Sequence, residues 1–290
     1  MKIDLHIHST ASDGSYTPAE ILNLIKEFNI CAFSITDHDT IDGNREILNS
    51  GLSESDNFLT GVEISSFPPE PFKSSGSFHI LGYGFDINDT ELNMALKKFQ
   101  TAREERNPRI ISTLNSLDID ISMAEVIEEA GGGLIGRPHM ASVLLKKGHV
   151  GSIKEAFDTL LAKGRPAFVD KYRVNAENAI ALINNAGGVA VLAHPVTMEM
   201  AYGETEALLK TLSEMGLGGI EAHYSNHSQE ATKIYSMLAR NTGLLVTGGS
   251  DFHGSLKDDI SIGTGRGDLD VPFTLYETIM TALKKKRERV

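Results

Sequence analysis

Apolar runs of five to seven residues alternate along the chain with segments in which apolar residues recur at helical spacing. Apolar runs this short are typical of strands that are buried on both faces of a sheet. The runs predict strands at residues 2–7, 30–36, 58–64, 188–193, 218–222 and 243–247. The amphipathic segments predict helices at residues 18–28, 175–186, 204–215 and 227–241. Strands that alternate with helices in this way indicate an α/β protein with a parallel sheet.

The first predicted helix carries a sequence signal for its start. Thr17 is a suitable N-cap residue, and Pro18 suits the first helical position. Glu20 stands where a capping box places its carboxylate. We therefore expect this helix to begin directly after Thr17.

The stretch at residues 99–173 breaks the alternation of strands and helices. It predicts four consecutive helices, at 99–116, 122–130, 138–147 and 152–162, separated by glycine-containing turns. At a length of 290 residues, the rest of the chain favours a (β/α) barrel over an open sheet. We expect a barrel domain made of residues 1–98 and 174–290. The mostly helical insertion at 99–173 would pack beside or over the barrel mouth and contribute to substrate binding.

Charge distinguishes the insertion from the rest of the chain. The net charge is −12, which argues against a protein that coats duplex nucleic acid or a membrane surface. Residues 101–175 hold 11 of the 27 Lys and Arg residues but 10 of the 39 Asp and Glu residues. Cations of the insertion could therefore meet an anionic substrate. The alternative is that these charges form an ordinary polar helical surface.

The chain carries few signs of a secreted or membrane protein. Its apolar runs are too short to span a bilayer, and its start does not resemble a signal peptide. Cys31 is the one cysteine, so no intrachain disulfide can form. We therefore expect a cytoplasmic protein, while the oligomeric state is not encoded in any pattern that we can read.

A His-x-His motif closes the first predicted strand. Residues two apart on a strand point to the same face, so His6 and His8 can reach one point beyond the strand end. Neutral imidazole is a common ligand for transition metals. On its own, such a pair is equally compatible with two surface histidines.

Further residues of metal-ligand type lie at or next to the ends of other predicted strands. In a parallel barrel, residues that follow strands meet at the carboxyl-terminal face, where such enzymes place their chemistry. The nine candidate metal ligands are His6, His8, Asp13, His38, Glu63, His79, His194, Asp251 and His253. Nine ligands are too many for one ion, so we expect two or three divalent ions that share a carboxylate. Mixed histidine and carboxylate sites accept manganese, iron or zinc, and the sequence does not choose among them.

Clustered divalent ions favour hydrolysis of phosphate esters. Ions about 4 Å apart stabilise the attacking and leaving oxygens of an in-line displacement, and they lower the pKa of a bound water. The chain has no dinucleotide-binding fingerprint, no Walker loop and no nucleophile elbow. We therefore expect no organic cofactor.

These motifs together resemble the PHP family, whose name stands for polymerase and histidinol phosphatase. The resemblance runs from residue 6 to residue 253, which is nearly the whole chain. It implies a distorted (β/α)7 barrel, similar to the TIM barrel, with up to three metal ions. The matching motifs are His6-Ile7-His8 with Ser12-Asp13-Gly14, Thr36-Asp37-His38-Asp39, Gly61-Val62-Glu63-Ile64, His79-Ile80-Leu81-Gly82-Tyr83, Ala193-His194-Pro195 and Ser250-Asp251-Phe252-His253.

The resemblance also implies how the ligands are shared among the ions. Glu63 would bridge the first and third ions. The implied sets are His6, His8, Glu63 and Asp251 for the first ion, Asp13, His38 and His253 for the second, and Glu63, His79 and His194 for the third. No ligand of the family pattern is missing from this chain.

Within the family, the chain is most similar to stand-alone bacterial phosphoesterases with a Gly-Arg-Pro-His motif, here residues 136–139. That branch includes nucleoside 3′,5′-bisphosphate phosphatases and an RNA 5′→3′ exonuclease. The resemblance implies that Arg137 clamps a phosphate and that His139 binds the phosphate or acts as general acid, with Asp13 as a further catalytic residue. Weaker candidates for substrate contacts are Arg165, Lys171, Tyr172, Arg173 and His227, whereas His223 has no assigned role.

The expected function is metal-dependent hydrolysis of a phosphate ester on a small nucleotide, such as a nucleoside 3′,5′-bisphosphate or a 5′-monophosphate, by a metal-activated water. One alternative is a 5′→3′ exonuclease that acts on short RNA or DNA. Another is an amidohydrolase that cuts a C–N bond, although the middle strands offer no lysine of the kind that bridges metals in that class. A regulatory metal module without activity is the third alternative, and the complete ligand set argues against it.

Overall fold

The strands form a two-stranded parallel sheet and a six-stranded mixed sheet in the computed structural model, which describes residues 1–288. The smaller sheet pairs β1 with β2, and the larger sheet has the order β5-β3-β4-β6-β7-β8. The strands are β1 (Lys2–Ile7), β2 (Ile30–Ile35), β3 (Gly61–Phe67), β4 (His79–Tyr83), β5 (Val174–Asn175), β6 (Val189–Leu192), β7 (Gly219–Tyr224) and β8 (Leu245–Gly249). All six predicted strands are therefore present, with small shifts at their ends.

The expectation of a purely parallel sheet is wrong at β4, which the list of predicted strands did not contain. β4 runs antiparallel to both of its neighbours, β3 and β6. No helix lies between β3 and β4 in the chain. Because a parallel pairing needs a long crossover connection, usually a helix, this short loop instead favours an antiparallel neighbour.

The hydrogen-bonded ladders do not close into a single barrel. The two sheets meet only at isolated bridges, where Ile7 pairs with Phe252, Phe33 with Phe58, and His38 with Glu63. Two of these bridges lie beside Asp39 and Asp251, whose backbones have positive φ angles of 54° and 58°. A regular strand ladder cannot continue through that conformation. The observed fold is thus α/β with a mixed central sheet, and the ladders do not confirm the seven-stranded barrel.

The insertion contains four α-helices, as predicted, but the first begins earlier than predicted and the last is shorter. The helix predicted at 99–116 begins earlier, so the expected boundary at 98/99 falls inside α3. The segment predicted as one helix at 152–162 is instead a short α-helix followed by a π-helix at Phe157–Leu161. The helices are α1 (Pro18–Glu27), α2 (Asp42–Asn49), α3 (Thr90–Ser116), α4 (Met123–Ala130), α5 (Arg137–Lys146), α6 (Ile153–Ala156), α7 (Ala176–Asn185), α8 (Tyr202–Glu214), α9 (Gln229–Thr242) and α10 (Phe273–Arg287).

Local sequence signals explain several helix ends. The capping box at Thr17 and Glu20 is present, with the Thr17 side chain accepting from the Glu20 backbone N–H. A second capping box starts α4 at Ser122 and Glu125. Each satisfies backbone donors that a helix start leaves without a partner.

Apolar packing joins the two sheets and sets the insertion apart. One cluster contains Leu5 from β1 together with Leu81 from β4 and Val191 from β6. A separate cluster is built from insertion residues between Ile110 and Ala167. The insertion therefore has its own small core, while the two sheets share one. Within residues 1–288, no helix has the length and apolar character needed to cross a membrane.

We expect Tyr83→Phe to lower the free energy of unfolding by about 1–3 kcal/mol, because it removes a hydrogen bond that links the sheets. The fully buried Tyr83 hydroxyl donates to the Leu5 carbonyl at 2.8 Å. Urea unfolding followed by circular dichroism would measure the change. Tyr202→Phe is a matched control, since Tyr202 is 44% exposed. Equal stability of the two variants would contradict the assigned role of this bond.

Candidate metal centre

All nine predicted metal ligands come together in one cluster at one end of the sheets. Eight of them are buried, and the His38 side chain is 14% exposed. His6 lies in β1 and Glu63 in β3, whereas His38 and Asp251 lie in the loops that follow β2 and β8. His79 begins β4, and the antiparallel direction of that strand brings its start to the same end. His79, which starts a strand instead of following one, therefore reaches the cluster because β4 runs in the opposite direction to its neighbours.

Glu63 is at the centre of the cluster. Its Oε1 lies 2.7 Å from Nδ1 of His79 and 2.8 Å from Nε2 of His194. Its Oε2 faces three further imidazoles, with nitrogen distances of 3.0 Å for His38, 3.2 Å for His8 and 3.4 Å for His6. One carboxylate therefore contacts five histidines, an arrangement that suits a carboxylate shared between cations.

Three groups of ligand atoms lie within 4.8 Å of one another and could each hold a metal ion. The groups are His8, Asp13, His38 and His253; His6, His8 and Asp251; and His38, Glu63 and His79. The group around Asp13 is the expected set with His8 added, and the group around His6 is the expected set without Glu63. In the group around His79, His38 stands where His194 was expected, and His194 belongs to none of the three groups. The shared members indicate that neighbouring sites would be only one side chain apart.

Three buried atoms of the cluster support a cation at its centre. Asp13 Oδ1, His38 Nδ1 and Glu63 Oε2 have no hydrogen-bond partner among the described residues. A buried polar atom without a partner costs about 1–3 kcal/mol, and more when it is charged. His38 Nδ1 and Glu63 Oε2 are 3.0 Å apart but do not form a hydrogen bond. Lone pairs that converge without a shared proton are the chemistry that a divalent ion satisfies.

A buried carboxylate that the sequence reasoning missed orients two of the histidines. Glu221, in β7, accepts from Nδ1 of His6 at 2.9 Å and from the backbone N–H of His194 at 2.8 Å. With its proton on Nδ1, His6 presents the Nε2 lone pair to the cluster. Such carboxylate–histidine pairs fix ligand orientation in metal sites. A glutamate inside the apolar strand Gly218-Gly219-Ile220-Glu221-Ala222 was the sequence signal that could have found it.

Asp251 is held by two further groups that sequence reasoning did not identify. Its Oδ2 accepts from the Tyr224 hydroxyl at 2.9 Å and from Nζ of Lys257 at 2.6 Å. Its Oδ1 remains directed at the imidazoles, 3.3 Å from Nε2 of His8. Oδ2 therefore positions the Asp251 side chain, and Oδ1 is left to face the histidines of the cluster.

The electrostatics of the cluster favour ionised carboxylates. Burial alone would raise the pKa of Glu63, but the imidazoles of His38 and His79 hold it well below its usual range. Burial lowers the pKa of His79 to about 3, so this ring is neutral and can donate a lone pair. Burial opposes protonation of His8 as well, yet Asp251 and Glu63 raise its pKa to about 9. Binding of a cation would displace that proton, because metal ligands must be deprotonated.

The cluster opens into a cavity of about 840 Å³ that is lined by residues of the sheet region and of the segment 99–173. Arg137, from the start of α5, lines this cavity. Its guanidinium donates to the Leu161 carbonyl at 2.8 Å and lies 5.3 Å from the ring centre of Phe168. Lys171 also lines the cavity, and its Nζ donates to the Ser65 hydroxyl at 2.6 Å. Both predicted cationic contacts thus face the same space as the ligand cluster.

His139 and Arg165 lie differently. His139 is buried, and its Nδ1 accepts from the Gly136 backbone N–H at 3.0 Å, which caps α5. It lines a neighbouring cavity between the insertion and the loop that follows β1, beside Glu129 and Ser142. Arg165 is exposed and lies outside the lining of the main cavity as the described residues define it.

His227 and His223 are also outside that lining. His227 Nδ1 donates to the Ala222 carbonyl at 2.8 Å, and its ring lies against Tyr224 and Tyr235 at centroid distances of 5.2 Å and 4.7 Å. Tyr224 thus separates it from His194. His223 is half-buried and donates from Nδ1 to the Asp270 carbonyl at 2.8 Å.

Comparisons with known proteins agree with this geometry, although no protein-family model matches the sequence. The chain is 31% identical over 254 residues to a 3′,5′-nucleoside bisphosphate phosphatase of Chromobacterium violaceum, which covers 87% of each protein. It is also 31% identical to the 5′-3′ exoribonuclease Rnm of Escherichia coli, over 86% of this chain and 84% of the relative. A solved structure from Bifidobacterium adolescentis, described as a metal-dependent phosphoesterase, superposes with a TM-score of 0.82 at 26% identity, covering 96% of this chain and 95% of that one.

The fold, the ligand cluster and these relatives define a hydrolase of phosphate esters. The chain belongs to the PHP family of metal-dependent phosphoesterases. The resemblance seen in its motifs is therefore confirmed, and the ligand clusters indicate divalent metal ions.

We expect Glu221→Gln to weaken metal binding by about 10–100-fold, the usual effect of removing a partner of a metal-binding histidine. Glu221 accepts two N–H bonds, whereas an amide offers only one acceptor oxygen. Competition with a chelator, read by metal analysis of the desalted protein, would measure the affinity. Glu214→Gln, on the exposed end of α8, is the control. Unchanged metal affinity in Glu221→Gln would argue against this orienting role.

Proposed function

We propose that this chain hydrolyses a phosphate ester of a small nucleotide. The observation that carries the proposal is the shared cavity, which is lined both by residues of the ligand cluster and by cationic side chains of the insertion. Metal ions held by such a cluster can activate water and offset negative charge, while arginine and lysine bind phosphate oxygens. The relatives named as a bisphosphate phosphatase and an exoribonuclease support a nucleotide as substrate.

Two or three divalent ions, of manganese, iron or zinc, would be held by the nine clustered side chains. Bound there, they would lower the pKa of a coordinated water and offset charge on the phosphate oxygens. The converging atoms without hydrogen-bond partners on Asp13, His38 and Glu63 support this assignment. His6 and Asp251 are held in place by Glu221 and Lys257, respectively.

The cationic residues would bind and orient the substrate. Arg137 is restrained by the Leu161 carbonyl and by the aromatic ring of Phe168, so its planar donor group has a fixed direction. A fixed guanidinium can donate two parallel hydrogen bonds to two phosphate oxygens. Lys171 would supply a second, more mobile positive charge from the same side.

The remaining candidates receive positioning or accessory roles in this proposal. Because His139 Nδ1 accepts a hydrogen bond, its proton lies on Nε2, where it can be donated toward Asp13 or to an oxygen of the leaving group. His227 would hold the Tyr224 ring beside the cluster. Exposed Arg165 would contact only a substrate that extends beyond the cavity.

The wider architecture is part of the same proposal. We propose that seven strands close into a distorted barrel, supported by the bridges between the sheets. Residues 99–173 would form the insertion that covers the mouth of this barrel, supported by their separate core. A cytoplasmic location is supported by the single cysteine.

A 5′→3′ exonuclease that acts on short oligonucleotides is the second candidate function. The similarity to the exoribonuclease of Escherichia coli favours it, and the same ligands would serve both reactions. A long duplex is a poor substrate in either case, because the net charge is −12.

We expect the manganese-loaded protein to release phosphate from a nucleotide, and His38→Ala to lower kcat/KM at least about 100-fold because the cluster loses a ligand shared by two groups. The substrates would be 3′,5′-bisphosphoadenosine, 5′-AMP, histidinol phosphate, a 5′-phosphorylated RNA pentamer and a set of amides. Products would be separated by chromatography. His149→Ala is the matched control, because His149 is an exposed histidine of the insertion.

The products distinguish the candidates. Phosphate released from the bisphosphate and lost in His38→Ala would support a nucleotide phosphatase. Mononucleotides released from the pentamer would support the exonuclease. Turnover confined to amides, or equal activity in His38→Ala and wild type, would refute the proposed function.

A further inference from the structure

Asp251 differs from the other two carboxylates of the ligand cluster in its partners. Its Oδ2 lies 2.6 Å from Nζ of Lys257. Within ion-pair distance, Asp13 and Glu63 face histidines alone among the residues that the structure describes. In the described part of the chain, Lys257 is therefore the one lysine or arginine that pairs with a carboxylate of the cluster.

The backbone that carries Lys257 is anchored to the loop after β1. Lys257 ends the short 3₁₀-helix Gly254–Lys257, which follows His253 directly. Gly254 has a φ angle of 67°, and a Cβ at this position would collide with the side chain of Ser15. The Ser15 hydroxyl also accepts from the backbone N–H of Ser255 at 2.9 Å. The place of the Lys257 ammonium is thus set by the packing of this turn against the first histidine motif.

Lys257 leaves only one oxygen of Asp251 for a metal ion. Oδ2 is taken by Lys257 and by the Tyr224 hydroxyl, which donates at 2.9 Å. Oδ1 lies 3.3 Å from Nε2 of His8 and 3.6 Å from Nε2 of His6. An ion in the group of His6, His8 and Asp251 would therefore bind Oδ1 alone, with a positive charge on the far side of the same carboxylate.

The charge of Lys257 has opposite effects with and without an ion. Asp251 is only 5% exposed, and a buried carboxylate without an opposite charge is unfavourable. Lys257 supplies that charge when no ion is bound. Once an ion is bound, the ammonium repels it across a few ångströms. The Lys257 side chain is 37% exposed, so water weakens this repulsion without removing it.

We propose that Lys257 acts as an internal competitor of the metal ion that His6, His8 and Asp251 hold, and lowers the affinity for that ion. The occupancy of this position then follows the concentration of free metal, so that the ion exchanges instead of being held permanently. This inference rests on the metal ions of the proposed function. It concerns how firmly one of them is held, whichever ester is hydrolysed.

The experiment measures manganese binding directly. Metal-free protein is dialysed to equilibrium against a series of buffered manganese concentrations, and bound manganese is counted by elemental analysis. We expect Lys257→Met to shift one step of the binding curve to about tenfold lower free manganese, because a repelling unit charge is lost. Lys257→Gln should shift it likewise, since an amide can donate to Oδ2 without a charge. Lys257→Arg keeps the charge and should bind manganese like wild type.

Lys154→Met is the matched control, because Lys154 lines the same cavity but forms its ion pair with Asp158. It should keep the wild-type affinity. Tyr224→Phe removes the neutral donor to the same oxygen of Asp251 and should not tighten binding. The proposal is overturned if Lys257→Met and Lys257→Gln bind manganese as wild type does or more weakly. It is also overturned if Tyr224→Phe tightens binding as much as Lys257→Met.

Melting temperatures distinguish this inference from a structural role. Metal-free Lys257→Met should melt a few degrees below metal-free wild type, because Asp251 loses its cation. Saturation with manganese should then raise the melting temperature of Lys257→Met more than that of wild type, since tighter binding stabilises the folded state further. An equal loss with and without manganese would mean that Lys257 is only structural, and would overturn the proposal.

The inference and the proposed function can fail separately. If Lys257→Met binds manganese more tightly but neither protein hydrolyses an ester, the proposed function fails and the inference stands. If esters are hydrolysed but all Lys257 variants bind manganese like wild type, the inference fails and the proposed function stands.

Discussion

The structure depends on keeping one carboxylate and five imidazoles buried together. Glu63 has hydrogen-bond or near-contact distances to five histidines, and its Oε2 has no hydrogen-bond partner. Such a group is unstable in an apolar interior unless opposite charge and directed lone pairs compensate it. The two sheets therefore have to meet at this point, with β1 supplying His6, the residue directly after β1 supplying His8, and β3 supplying the glutamate. A divalent ion is the natural complement, so metal binding and folding are expected to be coupled.

A surrounding layer of polar residues makes that arrangement specific. Glu221 fixes His6 and the backbone of His194, while Asp37 accepts hydrogen bonds from Ser9 and Ser12 next to the first histidine motif. Neither of these buried carboxylates is among the residues that line the main cavity. Their effect is to hold each ligand in one rotamer and one tautomer, which a ligand set in three dimensions requires. The backbone of Asp251, with its positive φ angle, also helps to place this ligand, because it turns the chain just after β8 ends.

The sheets and the insertion contribute side chains of opposite charge to the lining of the cavity. The cluster end of the sheets carries carboxylates and imidazoles, whereas the insertion contributes arginine and lysine to the lining of the same cavity. The net charge of −12 repels anions at long range, so binding has to come from short-range, buried contacts. Arg137, which is half-buried and held against Phe168, is a short-range contact of this kind. A separate core in the insertion keeps these residues in place independently of the strands.

The sequence by itself determined six of the strands and the set of candidate metal ligands. The strands followed from apolar runs, the start of α1 followed from Thr17 and Glu20, and the nine candidate ligands followed from their places near strand ends, because these signals are local. Strand direction was decided by the tertiary structure: β4 turned out antiparallel, and only that direction brings His79 to the cluster. The tertiary structure also decided which polar residues are buried beside the candidate ligands. Glu221 looks ordinary in sequence, and its role arises from a partner 215 positions away, which no local pattern encodes.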